Sequence, residues 1–206
     1  MKNIHSNHRL LFSTILIGFI VLSVALAVGP AIWVEQNMQP IEGTSPLTEL
    51  EKEGLKIYVG EGCVGCHSQQ IRPLEMDSPY GRASIPADYA HHGPLGPFGP
   101  YAPGVLGTQR TGPDLADVGT RQPSDVWQYI HLYNPRAVVP DSIMPGYPWL
   151  FEVVEEAGPD DVVVPITGEY APDEGQLVAT EKAQALVAYM LALKQAPLES
   201  AEVGHE

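Results

Sequence analysis

The chain has 206 residues, of which 44% are hydrophobic and 17% are charged, and it is long enough to bury one core of ordinary size. With 11 basic and 25 acidic residues, its formal net charge of −14 excludes a nucleic-acid-binding protein, because a polyanion would be repelled. Gly and Pro contribute 20 residues each, which predicts long loops and little sheet, and two cysteines are too few for a disulfide scaffold.

An uncharged apolar segment follows the short N-terminus formed by residues 1–9. As a helix, residues 10–33 would be about 36 Å long, enough to cross a hydrocarbon core of about 30 Å. Lys2 and Arg9 precede this segment, which predicts a cytoplasmic N-terminus and a remainder on the outer, periplasmic side of the inner membrane. A cleaved signal peptide is the alternative, since residues 25–27 resemble a cleavage site, but the apolar run is longer than a signal core of about 7–15 residues.

A linker at 34–47 leads into the single domain predicted for residues 48–206. Thr48 and Glu51 have the spacing of a capping box, which predicts a helix from there to about Val59. Its expected inward side chains are Leu50, Leu55 and Tyr58.

The middle of the chain is expected to be mostly loop. Residues 68–112 show no regular pattern, and residues 93–104 hold eight Gly or Pro in twelve positions, which excludes a helix. A second helix is predicted at 123–133, with Ser124 as its N-cap and an Asn-Pro stop after it. Its expected inward face consists of Val126, Trp127 and Ile130.

The C-terminal third begins with an acidic segment. Residues 152–174 carry eight acidic side chains and no basic one, and only residues 162–164 resemble a strand. A final helix is predicted over about 174–194, because apolar residues recur there with helical spacing. These residues are Leu186, Met190 and Leu193.

Cys63, Cys66 and His67 form the Cys-x-x-Cys-His motif that attaches a c-type haem. The two thiols can each add to a vinyl group of the porphyrin, and the adjacent imidazole then reaches the iron. A redox dithiol and half of a zinc site are the alternatives. A dithiol does not require the histidine, however, and a zinc site needs two more ligands. The motif therefore predicts one covalently attached haem c.

The sixth iron ligand must come from a distant residue. Met144 lies in a stiff Pro- and Gly-flanked loop that can present a thioether, and spacing favours it. The other candidates are His131, the pair His91 and His92, and the methionines Met38, Met76 and Met190. Ligation by His and Met would raise the reduction potential and leave no open position for a substrate, as expected of an electron carrier.

Several longer stretches in residues 50–151 resemble the mono-haem cytochrome c subunit (subunit II, the O subunit) of cbb3-type cytochrome c oxidases. They are Glu61-Gly62-Cys63-x-x-Cys66-His67-Ser68-Gln69-x-Ile71-Arg72-Pro73, Arg110-Thr111-Gly112-Pro113-Asp114-Leu115, Trp127, His131-Leu132, Asn134-Pro135-Arg136, Val138-Val139-Pro140, Ser142 and Met144-Pro145-x-Tyr147-Pro148-Trp149-Leu150. The loop before Arg110 and the residue Gln70 depart from the usual family pattern, as does the acidic segment.

The resemblance implies a mostly α-helical protein, with a class I cytochrome c-like domain tethered by one transmembrane helix. It implies Met144 as the axial ligand opposite His67, and the Pro113 carbonyl as acceptor for the His67 Nδ1–H. Arg72 and Arg110 are candidates for neutralising the haem propionates, with surface salt bridges as the alternative. The C-terminal helix should pack across the helix at 48–59.

The implied function is electron transfer without catalysis by this chain. The subunit would take electrons from another c-type cytochrome, soluble or a companion subunit, and pass them to a polytopic catalytic subunit with b-type haems and copper. A haem c subunit of a nitric oxide reductase, a haem-based gas sensor or peroxidase, and a structural subunit are the alternatives. The acidic surface could attract a basic donor, or could simply keep the domain soluble.

Overall fold

The computed structural model describes residues 6–37, 41–92 and 105–198, and about half of these residues are helical. Six α-helices and one three-stranded sheet are present in this described part of the chain. The Gly/Pro-rich segment expected at 93–104 and the candidate ligand Met38 lie outside it.

A continuous helical segment from His8 to Trp33 is long and apolar enough to cross a membrane, and none of it is buried in the protein. It comprises α1 (His8–Ser23), a π-helical turn (Val24–Val28) and the first part of α2 (Gly29–Asn37). Pro30 explains the π turn, because it lacks an amide hydrogen and its ring displaces the carbonyl four residues earlier. The Gly29 amide correspondingly donates to the Val24 carbonyl, five residues back.

The helix predicted after the linker is α3 (Glu49–Gly60), and both hydrogen bonds of its capping box are present. Leu55 and Tyr58 are buried as predicted, but the prediction for Leu50 was wrong, because its side chain is 53% exposed. The buried face of α3 includes Gly54 instead of Leu50. A Cβ on Gly54 would lie 2.0 Å from the Ala185 carbonyl oxygen, so this glycine permits the close approach of the C-terminal helix.

That C-terminal helix is α6 (Glu181–Ala192), and its packing across α3 confirms the expected contact between the two helices. It begins at Glu181, not near residue 174 as predicted, because Thr180 caps it and the preceding residues form a strand. The predicted inward residues Leu186, Met190 and Leu193 are buried.

Two shorter helices follow the central loops. They are α4 (Val118–Arg121) and α5 (Asp125–Tyr133), and Ser124 caps α5 as predicted. The buried face of α5 is rotated relative to the predicted one. Val126 is 40% exposed, and the buried side chains are Gln128, Tyr129 and Leu132. Short 3₁₀-helical segments cover Cys63–Gly65, Glu75–Tyr80, Pro86–His92, Pro135–Ala137, Pro148–Leu150 and Gly168–Tyr170.

The acidic segment overlaps two strands of a small antiparallel sheet and otherwise forms the loops between its strands. Its strands are β1 (Phe151–Val154), β2 (Val162–Val163) and β3 (Gln176–Ala179), in the order β1-β3-β2. Of these only β2 was anticipated. The other two are short, and the apolar run of β3 continues directly into the pattern of α6, so periodicity could not separate them. All eight acidic side chains of residues 152–174 are exposed, while Leu177 and Phe151 belong to the core.

Candidate haem-binding site

The Cys-x-x-Cys-His motif lies directly after α3. Gly62 adopts a left-handed conformation with φ 78°, which ends the helix and starts the 3₁₀ turn that contains Cys63. The His67 amide then donates to the Cys63 carbonyl oxygen at 2.9 Å. This tight local fold brings two thiols and one imidazole to the same cavity.

The cavity has a volume of about 420 Å³, within the range of small-molecule and cofactor sites. Its wall is mainly apolar, with contributions from the segments around residues 111–122, from α5, from the loop around Met144 and from α6. The predicted haem residues that line it are Cys63, Cys66, His67, Pro113 and Met144. An apolar cavity with two thiols, an imidazole and a thioether on its wall has the donor set that a haem c requires.

A backbone carbonyl fixes the imidazole of His67. Nδ1 lies 2.8 Å from the Pro113 carbonyl oxygen, so the predicted hydrogen bond is present. Nδ1–H is therefore the donor to this carbonyl, and Nε2 is the nitrogen left for a metal. Burial lowers the pKa of His67, which favours the neutral ring that ligates iron.

Two glycines leave the space that His67 occupies. A Cβ on Gly112 would lie 2.3 Å from Cε1 of His67 and within 3 Å of both ring nitrogens, so the ring lies directly against the backbone here. A Cβ on Gly107 would lie 2.1 Å from the His67 carbonyl oxygen, and its φ of +80° also favours glycine. The resemblance placed Pro113 beside His67, but neither glycine was assigned this role, because a close backbone approach across 40 to 45 residues has no local signal.

The segment at 105–115, here called the proximal loop, is bound along the haem motif by backbone hydrogen bonds. They are Thr108 N to Val64 O at 3.0 Å, Gln69 N to Leu106 O at 2.9 Å, Gly112 N to Cys66 O at 2.9 Å and Leu115 N to Ser68 O at 2.8 Å. The buried Asp114 carboxylate adds bonds from the Ser68 hydroxyl and the Gln70 amide. The histidine is therefore held by a preformed backbone frame.

Three of the described candidates for the sixth ligand line the cavity: Met144, Met190 and His131. Met190 is buried on α6 within the core, as the sequence suggested. His131 is stacked flat on Trp127, with ring centres 4.5 Å apart, and burial lowers its pKa to about 4. Met76 is 70% exposed and does not line the cavity. The side chains of His91 and His92 lie outside what the structure describes.

The structure also bears on the two alternatives for the cysteines. Burial raises the pKa of the Cys63 thiol to about 11, whereas a reactive redox dithiol requires a lowered pKa. Among residues 6–37, 41–92 and 105–198, no three His, Cys, Asp or Glu side chains are grouped to hold a metal ion, so a zinc site lacks its further ligands there.

Arg72 and Arg110 do not line the cavity. Both guanidinium groups bind the buried carboxylate of Asp77, Arg72 through an ion pair of 2.9 Å, so the salt-bridge alternative is the one that the structure displays. These two arginines hold the carboxylate in its charged form and lower its pKa well below the usual range. The cation that does line the cavity is Arg121, which sequence reasoning missed.

Comparison with protein families identifies a match over most of the chain. The family described as "Cytochrome C oxidase, mono-heme subunit/FixO" matches residues 2–164, more than three quarters of the chain, and this confirms the resemblance found in its motifs. No curated protein matches the chain. The match includes the apolar helical segment, the cysteine motif and the loop that carries Met144. This chain therefore belongs to the FixO family of mono-haem cytochrome c oxidase subunits.

Proposed function

We propose that this chain is the membrane-anchored electron-transfer subunit of a cbb3-type oxidase and carries one haem c. The observation that supports it most is the common cavity of Cys63, Cys66, His67 and Met144, within a chain of the FixO family. Bound haem c supplies a one-electron carrier whose iron alternates between the ferrous and ferric states.

Cys63 and Cys66 attach the group covalently in this proposal, each thiol adding across one vinyl group. His67 Nε2 is the proximal ligand, and the Pro113 carbonyl selects its tautomer and increases its basicity through Nδ1–H. The mainly apolar wall keeps water from the site, which together with a thioether ligand favours the ferrous state.

Met144 is the proposed ligand on the second side. It is partly buried and packs against the core, and its amide donates to the Ser142 hydroxyl oxygen at 3.3 Å. His131 is a weaker candidate, because its ring is held flat against Trp127. If His67 and Met144 both held the iron, no position would be left for oxygen, and this would distinguish an electron carrier from a gas sensor or peroxidase.

The helical segment His8–Trp33 is the proposed single anchor. Arg9 at its start favours a cytoplasmic N-terminus, so the haem domain would lie on the periplasmic side, where haem c is attached. From there the subunit would pass electrons from a c-type cytochrome to the b-type haem of a polytopic catalytic subunit. The family match favours this oxidase over a nitric oxide reductase.

The test is purification of the full chain from membranes of a host that matures c-type cytochromes. We expect one covalent haem per chain by mass spectrometry, full loss of it in a Cys63→Ala and Cys66→Ala double variant, and co-purification with a subunit that contains b-type haem and copper. A mature chain without a covalent adduct would contradict the proposal, and so would a chain that never associates with such a subunit.

A further inference from the structure

Two aromatic side chains connect the cavity wall with the protein surface. Tyr147 is buried and lines the cavity together with Cys63. Its ring meets the ring of Trp149 edge to face, with ring centres 5.3 Å apart. Trp149 itself is 60% exposed and does not line the cavity. A group that fills the cavity would therefore be separated from solvent on this side by two aromatic rings in contact.

The exposed indole of Trp149 is held in one orientation by a hydrogen bond. Its Nε1–H donates to a carboxylate oxygen of Glu61 at 3.1 Å, and Glu61 is the residue at the end of α3, just before the haem motif. Tryptophan is enriched among the residues that contribute most to protein interfaces, and a rigid side chain loses little conformational entropy when a partner binds. Trp149 therefore has the properties of an interface residue.

The surface that continues from Trp149 along the chain is strongly acidic. Strand β1 begins two residues after it, and Glu152 and Glu155 are exposed there. They belong to residues 152–174, whose eight acidic side chains are all exposed and which contain no lysine or arginine. One basic side chain, Arg136, lies near this segment, so the excess charge remains negative. The surface is therefore complementary to a basic partner.

This surface begins at the end of α3 that is farther from the linker. The helix runs from Glu49, next to Thr48, to Gly60, next to Glu61, and its 12 residues are about 18 Å long. A soluble partner can therefore approach Trp149 without meeting the linker. Transient electron-transfer complexes bury small interfaces, below about 1,200 Å² in total, so one exposed ring with charges beside it is enough.

We propose that Trp149 and the acidic residues that follow it form the docking surface for the electron donor, a soluble c-type cytochrome with a basic surface. This inference rests on the proposed function. The acidic side chains attract and orient the donor, which raises the association rate, and Trp149 forms the central contact. One electron then passes from the ferrous haem of the donor to the ferric haem of this chain, and the donor is left ferric. Such a transfer slows steeply with distance, so contact at Trp149, one ring away from the cavity wall, favours it.

The test measures electron transfer from a basic probe to the full-length holoprotein in detergent. The probe is a mitochondrial-type cytochrome c in which zinc replaces iron, so that its light-excited porphyrin loses one electron to the ferric haem of this chain. We expect Trp149→Ala to lower the second-order rate constant at least about tenfold, as the loss of a central interface residue does. Haem content and reduction potential should remain those of wild type, because Trp149 does not line the cavity.

Two double variants test the contribution of charge. Glu152→Gln with Glu155→Gln removes two exposed carboxylates from the docking surface. Glu49→Gln with Glu53→Gln removes two from α3, where each is paired with a lysine. Both double variants change the net charge equally, so a difference between them depends on position. We expect the first to slow the transfer at low ionic strength and to weaken its salt dependence, and the second to match wild type. Equal effects would overturn the proposal.

Two other outcomes would also overturn it. One is a Trp149→Ala rate equal to the wild-type rate. The other is loss of co-purification with the catalytic subunit in Trp149→Ala, because the surface would then belong to that subunit. If Trp149→Ala yields no holoprotein, the comparison of the two double variants decides the question. A wild type without covalent haem would instead refute the proposed function itself, and the two failures are therefore distinguishable.

Discussion

The two sides of the haem cavity are built differently. On the His67 side, the proximal loop runs beside the haem motif with four backbone hydrogen bonds between the two segments, and the imidazole is bound to Pro113. On the other side, the loop of residues 134–147, here called the Met144 loop, is bound mainly at its ends. Tyr147 N donates to Leu132 O at 2.8 Å, and Asn134 closes α5.

The residues next to His67 and Met144 also differ in how far they are exposed to solvent. Ile143, which precedes the thioether, is 76% exposed, whereas Ser68 and Gln69, which follow the imidazole, are buried. The His67 imidazole is thus positioned by backbone packing before any group binds, while Met144 is presented by a loop with fewer hydrogen bonds to the rest of the domain. We therefore expect damage to the proximal side to abolish the site, and damage to the Met144 loop to change only its properties.

The largest effect is expected for Gly112→Ala. The new Cβ would overlap the His67 ring, and such overpacking costs about 1–3 kcal/mol where the neighbours cannot move. Here the displaced group is the proposed proximal ligand, so we expect covalent haem per chain to fall to background in a haem stain of a denaturing gel. Gly60→Ala, where a Cβ meets nothing within 4 Å, is the control. Normal haem content in Gly112→Ala would show that the frame is not rigid.

Met144→Ala should have a smaller, purely spectroscopic and redox effect. Covalent haem is expected to remain, the far-red sulfur-to-iron absorption of the ferric protein to disappear, and the potential to fall by at least about 59 mV, a tenfold change in the redox equilibrium. Met76→Leu is the control, because that side chain is 70% exposed and off the cavity wall. Persistence of the far-red band in Met144→Ala would assign the sixth ligand elsewhere.

The smallest expected effect is on how the free energy of unfolding changes with pH in the acid range, through the Asp77 carboxylate. Because two arginines lower the folded pKa of Asp77, its carboxylate stabilises the fold above its unfolded pKa near 3.8, and this contribution is lost as the pH falls below that value. Asp77→Asn should therefore be less stable than wild type in urea at pH 7, with a difference that narrows toward pH 3.

The control for this experiment is Glu53→Gln, which removes a carboxylate from an exposed helix pair with Lys56. Exposed pairs contribute little to stability, so its unfolding curve should match wild type at every pH. A stability difference between Asp77→Asn and wild type that stays constant down to pH 3 would show that the Asp77 charge does not support the proximal side.

Much of the local structure was predictable because its signals lie within a few residues. The capping box at Thr48 and the cap at Ser124 located α3 and α5, since a cap and the amide it serves are three residues apart. Strand β3 was missed because its three apolar residues merge with the pattern of α6, and only pairing with β1 and β2 distinguishes it.

By itself the sequence determined the haem motif, the apolar segment, the family and the sixth-ligand candidate Met144, because each is written in contiguous or closely spaced residues. Only the tertiary structure decided which arginine reaches the cavity and which glycines admit His67. The pairing of Arg110 with Asp77 and the close approach of Gly107 and Gly112 to His67 join segments more than 30 residues apart, and no spacing rule encodes them.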